Sequence, residues 1–254
     1  MSSAVIVGAG PNGLACAAIL ARRGFAVTVI EAEERIGGGT RSGELTVPGL
    51  LHDECSAFHP MAVGSPAYTE LGLERHGLEW VWPEVDLAHP LDGGDGAAML
   101  RSLEATVAGL GAAGRDWERL FGPSVRGFDA LAEDIYEPLV HLPRHPLRLA
   151  RFGLPALMPA TLLARGLRTP QARALFGGVA GHALAPLGMP VSGAIGMALV
   201  TTGHRFGWPV ARGGSAAIAA ALAASIEADG GRIETGRRVR SLAELPAADA
   251  VVLD

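Results

Sequence analysis

The sequence has no lysine; all 21 of its basic residues are arginine. No run of basic residues stands out, and 21 positive against 26 negative side chains leave a net charge of −5. Nucleic acid is therefore excluded as an expected partner. Cysteine is almost as scarce. Cys16 and Cys55 make neither a CxxC pair nor a disulfide framework, which fits a reducing, cytoplasmic setting. Cys16 falls in an apolar helical stretch and reads as a small packed residue. Aromatic residues amount to only 5%, yet 49% of the chain is hydrophobic, enough for one or two packed cores. No apolar run of spanning length is free of charges and helix breakers, and the start has no basic leader region. Phe152–Ala164 is apolar but short, and Pro155 and Pro159 interrupt it. It reads as a core or pocket wall, with a peripheral membrane contact as the alternative.

What is present begins with a strand at Ala4–Gly8, a helix at Asn12–Arg23 closed by Gly24, and a strand at Ala26–Ile30. This is a βαβ unit. Two hairpins follow, turning at Pro48-Gly49 and within Asp92–Gly96. From Ser102 to about Arg205 the pattern is mostly helical and often broken by proline or glycine. Thr169-Pro170 is a helix start, an N-cap followed by proline at the first helical position. An alanine-rich helix at Ser215–Ala228, a strand at Arg232–Thr235 and a strand in "ADAVVLD" return the chain to α/β. The expected architecture is α/β: a dinucleotide-binding Rossmann-like domain with an inserted, mostly helical substrate domain. Its expected parts are 1–85 and 206–254 for the nucleotide domain and 86–205 for the insert.

The chemistry sits in the glycines. Gly8-x-Gly10-x-x-Gly13 lies between the first strand and helix, where glycine permits a tight turn and a close backbone approach to a pyrophosphate. The helix N-terminus offers its N–H groups and dipole to the phosphates. Glu31 ends the second strand, 18 residues after Gly13, and an acid there can accept both ribose hydroxyls. Pro11 and Asn12 in the turn and Ala32 beside the acid complete this candidate set. A second cluster, Gly37-Gly38, follows six residues after Glu31. A nicotinamide dehydrogenase has no need of it. Small residues here let the chain turn back beside the cofactor, with Arg35 and Arg41 placed to offset phosphate charge.

Glu31, then Gly37-Gly38, then Ser42 resembles the extended signature of flavoproteins with two dinucleotide-binding domains. "HDECSAFHPMAVGSP", "LAHPLDGG", "PRHPLRLARFGLPAL", "GHRFGWPVARGGSAAIAAAL" and "ADAVVLD" are similar to the phytoene-desaturase-like branch, and most like bacterial relatives of pyridine nucleotide-disulfide oxidoreductase domain-containing protein 2. The resemblance implies FAD as cofactor and adds Ser42 and Val239 to the cofactor residues, Val239 through its backbone at the adenine. It also implies a flavin contact at Pro209, Gly213 and Gly214, which are spaced one residue more widely than the family pattern. Family members are longer and carry a further Gly-Asp segment. The chain is thus expected to be a fragment, a truncated frame or half of a split protein, with a C-terminal half or oligomer as partner.

No metal pattern, catalytic triad or paired-carboxylate spacing is found, so no catalytic residue is assigned. His141 and His145 are separated by Pro143. His52 and His59 read as structural, with a place near the flavin ring as the alternative for His59. The expected function is FAD-dependent oxidation of a lipophilic small molecule by hydride transfer to flavin, the cofactor carrying the reaction. Two alternatives stay open: a non-catalytic binding protein of the GDP-dissociation-inhibitor type, and an NAD-dependent dehydrogenase.

Overall fold

A computed structural model describes residues 2–138 and 140–254. They form two compact units, one from 2–81 with 209–254 and one from the described residues of 82–208.

The first unit begins with β1 (Ser3–Val7), α1 (Pro11–Arg22) and β2 (Ala26–Ile30). Alanines and leucines along α1 bury Leu14, Ala17, Ala18 and Ala21. Gly24, at φ +84°, ends the helix: its N–H bonds Ala21 O, and the Phe25 N–H reaches back to Leu20 O. A short antiparallel pair, β3 (Ser42–Gly43) and β4 (His52–Asp53), is closed by a loop containing Pro48-Gly49. Then come α2 (Pro66–Leu71) and β5 (Trp80–Val81).

The second unit opens with the hairpin β6 (Leu87–Pro90) and β7 (Gly96–Met99) and continues, among the described residues, as seven helices. These are α3 (Leu103–Gly109), α4 (Gly114–Arg126), α5 (Phe128–Ile135), α6 (Pro146–Ala156), α7 (Ala160–Arg165), α8 (Pro170–Ala180) and α9 (Gly193–Phe206). Ser102 caps α3 by accepting from the Ala105 N–H, and Thr169 caps α8 by accepting from the Ala172 N–H. The core is built on Trp117, Phe121 and Phe176, whose successive ring centres are 4.6 and 5.9 Å apart. Gly196 of α9 lets that helix close on α8, since a β-carbon there would stand 2.6 Å from the Phe176 ring.

The chain returns to the first unit through β8 (Val210–Ala211), α10 (Ala216–Ala228), β9 (Arg232–Glu234) and β10 (Ala250–Leu253). Four strands form one parallel sheet in the order β10-β1-β2-β9. Ile6, Val27 and Val29 share a core with Leu14 of α1 and with Ile218, Leu222 and Ile226 of α10. The units divide at 81/82 and 208/209, a few residues from the expected 85/86 and 205/206. Antiparallel pairing of β5 with β8 holds 80–81 and 210–211 to the first unit. The Trp82 indole donates to Phe206 O and the Trp208 N–H to Asp86, which hold 82–86 and 206–208 to the second. No helix of the described residues is long and apolar enough to cross a membrane.

One buried polar contact makes the second unit sensitive to acid. The Trp117 indole N–H donates to His204 Nε2 at 3.0 Å, so that nitrogen must be unprotonated. Burial pushes the imidazole below its ordinary value of 6.5. The unfolded chain therefore takes up a proton that the folded one refuses, and stability falls as pH drops below 6.5. Urea unfolding followed by tryptophan fluorescence is expected to show this loss between roughly pH 7 and 5. His204→Gln, which keeps an acceptor, flattens that part of the slope. An unchanged slope in the variant refutes the assignment.

Candidate functional site

At the C-terminal end of β1, Gly8 adopts φ +110° and its N–H bonds Ile30 O at 2.8 Å. The turn thus joins the ends of β1 and β2. Gly10 stands at the N-cap of α1 and Pro11 at its first position, and no side chain caps this end. Asn12 is exposed and Gly13 buried. A β-carbon on Gly13 would stand 2.6 Å from Gly8 O, so only glycine lets α1 sit down on the end of β1. One on Gly10 would stand 2.7 Å from a carboxylate oxygen of Asp254, which follows β10. Asp254 is exposed, and its side chain has no hydrogen-bond partner among the described residues.

Glu31 closes the other side. It is buried, and its two carboxylate oxygens accept from the Ala9 N–H at 2.8 Å and the Glu33 N–H at 2.9 Å. The Arg41 guanidinium lies 3.7 Å away. Ala32 is half-buried beside it. The acid thus ties the glycine turn to the end of β2 while its remaining lone pairs stay available.

The second glycine cluster comes back onto the first. The Gly37 N–H donates to Ala9 O at 2.7 Å, and Gly37 adopts φ +111°. Gly38, at φ +49°, lies so close that its β-carbon would stand 3.1 Å from the Gly10 Cα. The turn is braced from within. Arg41 donates twice to Arg35 O, while Arg35 donates to Ser42 O at 3.1 Å and pairs with Glu54 at 2.5 Å. The two arginines expected to face phosphate are therefore engaged inside the turn.

Ser42 is engaged as well. Its hydroxyl donates to Asp53 at 2.7 Å and accepts from the Ala216 N–H at 2.9 Å. Asp53 also accepts from the Ser215 N–H at 2.7 Å. A carboxylate and a hydroxyl thus fill the N-terminus of α10, leaving the end of α1 as the uncapped one of the pair. Asp53 was not singled out in the sequence. Its signal was the hairpin, whose register sets Ser42 opposite Asp53.

His59 belongs to the same scaffold. It is buried, lies 5.9 Å from the Trp80 ring, and its Nε2 is 2.8 Å from Ser215 Oγ. Ser215 donates its one hydroxyl proton to Ser56 O at 2.6 Å, so Nε2 is the donor. Burial lowers the His59 pKa, with Asp53 opposing the shift. Pro209 O accepts from the His59 N–H. Gly213 has no atom within 4 Å of where a β-carbon would be, whereas Gly214 packs on Ser42 and Leu51.

Val239 follows β9 in irregular, half-buried backbone. The Arg237 N–H bonds Glu31 O and the Gly236 N–H bonds Glu33 O, so this stretch runs beside residues 31–34. Among the described residues the Val239 backbone has no hydrogen-bond partner. The structure therefore gathers the glycine turn, Glu31, Gly37-Gly38 and the approach to Val239 at one end of the parallel sheet. No metal-binding cluster occurs among the described residues.

A parallel sheet, a glycine turn into an uncapped helix and an acid ending β2 define a dinucleotide-binding Rossmann-like fold. In agreement, residues 6–68 match the family described as NAD(P)-binding Rossmann-like domain. The chain is 32% identical to a limonene dehydrogenase component of Castellaniella defragrans over 106 residues, which are 42% of this chain and 19% of that protein. It is 38% identical over 76 residues to pyridine nucleotide-disulfide oxidoreductase domain-containing protein 2 of Rattus norvegicus, covering 30% of this chain and 13% of the relative. Among solved structures it shares its fold with an oxidoreductase from Methanosarcina mazei, at TM-score 0.61 and 18% identity over 99% of this chain and 58% of that one. It also shares it with putrescine oxidase bound to putrescine, at TM-score 0.57 and 20% identity over 92% and 51% of the two chains. The matches thus span a small part of the curated relatives and just over half of the solved ones.

Closure of the two glycine turns on each other is open to a direct test. Gly38→Val places a branched side chain against the Gly10 backbone at a positive φ. It is expected to lower stability by about 1–3 kcal/mol through strain and to abolish dinucleotide retention. Guanidinium unfolding and equilibrium dialysis measure the two effects. A variant with parental values for both shows that the turns need not meet.

Proposed function

We propose that this chain belongs to an FAD-dependent oxidoreductase and that its first unit binds the dinucleotide. The observation that carries the reading is the return of Gly37-Gly38 onto the Ala9-Gly10 backbone. It gives the phosphate loop a second wall that a nicotinamide dehydrogenase does not require. The match to pyridine nucleotide-disulfide oxidoreductase domain-containing protein 2 supports the finer placement in the phytoene-desaturase-like branch.

The residues fit the cofactor. The uncapped N-terminus of α1 presents the Asn12 and Gly13 N–H groups to a pyrophosphate. Glu31 accepts the adenosine ribose hydroxyls, and the backbone at Val239 is free to meet the adenine edge. Asp254 must turn its carboxylate away from Gly10, which its exposure permits. FAD when bound supplies the hydride-accepting chemistry. The chain's own residues bind and orient it. A hydride donor with an apolar C–H bond is the proposed substrate class. In support, the limonene dehydrogenase component is named for a hydrocarbon, and Leu120, Met158, Leu162, Leu163 and Leu167 form the apolar wall of a cavity of about 300 Å³ in the second unit, with Asp116 and Arg119 at its polar side.

The full-length protein is expected to be yellow and to release FAD on denaturation. Glu31→Ala weakens FAD by roughly 10- to 100-fold, the worth of a charge-assisted hydrogen bond of about 1.5–3 kcal/mol. Gly10→Val gives a folded, colourless protein. Tight NAD(H) binding with no flavin supports the nicotinamide alternative, and retention of neither supports the non-catalytic one.

A further inference from the structure

We propose that α6 and the turn after it form a docking surface for an anionic membrane, with Arg148 and Arg151 receiving a lipid phosphate. Between Glu137 and Glu227 the sequence has no aspartate or glutamate, yet it contains eight arginines. Helix α6 lies in this acid-free stretch. Its outer side carries Leu147 at 86% exposure, Leu154 at 66% and, at its end, Leu157 at 60%. Arg148 and Arg151 are exposed among them.

Both arginines line a cavity of about 310 Å³, together with Ser124, Gly127, Leu131 and Leu147. The cavity offers guanidinium donors, one hydroxyl and apolar walls, which suits a phosphate carrying a hydrocarbon chain. Neither arginine has a carboxylate partner among the described residues. The acids on the neighbouring helices are already engaged: Glu118 with Arg126 at 2.6 Å, Asp129 with Arg205 at 2.9 Å and Glu133 with Arg144 at 3.6 Å. Gly127 makes room for the Arg148 guanidinium, since a β-carbon there would overlap it at 2.0 Å. The start of α6 is fixed by buried Asp134, which accepts from the Arg144 N–H at 2.7 Å and the His145 N–H at 2.9 Å.

The charge pattern selects the occupant. A surface of leucines interleaved with unpaired arginines complements an anionic bilayer, where cations meet headgroups and leucines enter the acyl boundary. At 11 residues α6 is far too short to span, so it would lie in the interface plane.

The test is co-sedimentation of the whole chain with vesicles of phosphatidylcholine alone and of phosphatidylcholine mixed with phosphatidylglycerol. Retention is expected only on the anionic vesicles, with release at high salt. Each arginine near such a surface is worth about fivefold in binding, so the double variant Arg148→Gln with Arg151→Gln should weaken retention about 25-fold. Leu147→Ser with Leu154→Ser should also weaken it while the arginines remain. Gly127→Ala, which displaces Arg148, gives an independent third variant. All side chains changed except at Gly127 are exposed, and thermal melting confirms that the fold is kept. Equal retention on neutral vesicles overturns the proposal, as does parental retention by the double glutamine variant. So does arginine-dependent binding of inorganic phosphate with no capture by vesicles, which would mean a soluble anion fills the cavity. A leucine-dependent dimer in sedimentation velocity, again with no vesicle capture, would mean that a second copy covers the face.

Discussion

The hydrogen bond from the Gly37 amide to the Ala9 carbonyl, 2.7 Å long, holds together two segments that the βαβ unit alone would leave apart. On one side of it lies the phosphate turn, on the other the chain leading away from β2. Glu31 works on the same pair from beneath, since its carboxylate takes the Ala9 N–H. Ala9 is thereby bonded through both its N–H and its C=O, which fixes the peptide groups on either side of it. Its neighbours Gly8 and Gly10 cannot reorient without breaking one of these contacts. A binding loop made rigid in this way loses little further freedom when it meets a ligand.

That rigidity extends through charge already spent. Asp53 and Ser42 satisfy the Ser215 and Ala216 N–H groups at the N-terminus of α10, and Arg35 pairs with Glu54. Buried or half-buried polar groups that find partners inside the protein no longer compete for a ligand. The helix end that stays uncapped, that of α1, is also the one the glycine turn faces. Selection between the two helix ends thus comes from which side chains are left over, as much as from the glycines themselves.

Much of this was legible in the sequence because it rests on local pattern. Gly8, Gly10, Gly13 and Glu31 occupy fixed offsets around a strand, a helix and a strand, and the apolar periods of Ala4–Ile30 place those elements. Thr169-Pro170 marked the start of α8 for the same reason. The partners of Arg35, Arg41, Ser42 and His59 were not legible. His59 with Ser215 joins segments far apart in sequence, Ser42 with Asp53 depends on a hairpin register that a turn motif alone does not specify, and the bonds between Arg41, Arg35 and Ser42 depend on how the second glycine turn folds back on itself. The unit boundaries moved by a few residues because Trp82 and Trp208 bond into the second unit, and tryptophan in a loop gives no periodic signal. The sheet order was likewise outside local pattern, although a parallel sheet was implied by the returning strand and helix signals.

The pairing of β5 with β8 fixes where the helical unit joins the rest of the chain. Trp80 sits opposite Ala211 and Val81 opposite Val210 on antiparallel strands. Paired residues on such strands have α-carbons only about 4.5–5.5 Å apart, so the helical unit leaves and re-enters at neighbouring points. To the sheet, everything from Trp82 to Trp208 is topologically a long hairpin loop. A change in the length of that loop would leave the order β10-β1-β2-β9 untouched. Two short strands are thus the seam through which the chain leaves the first unit and returns to it.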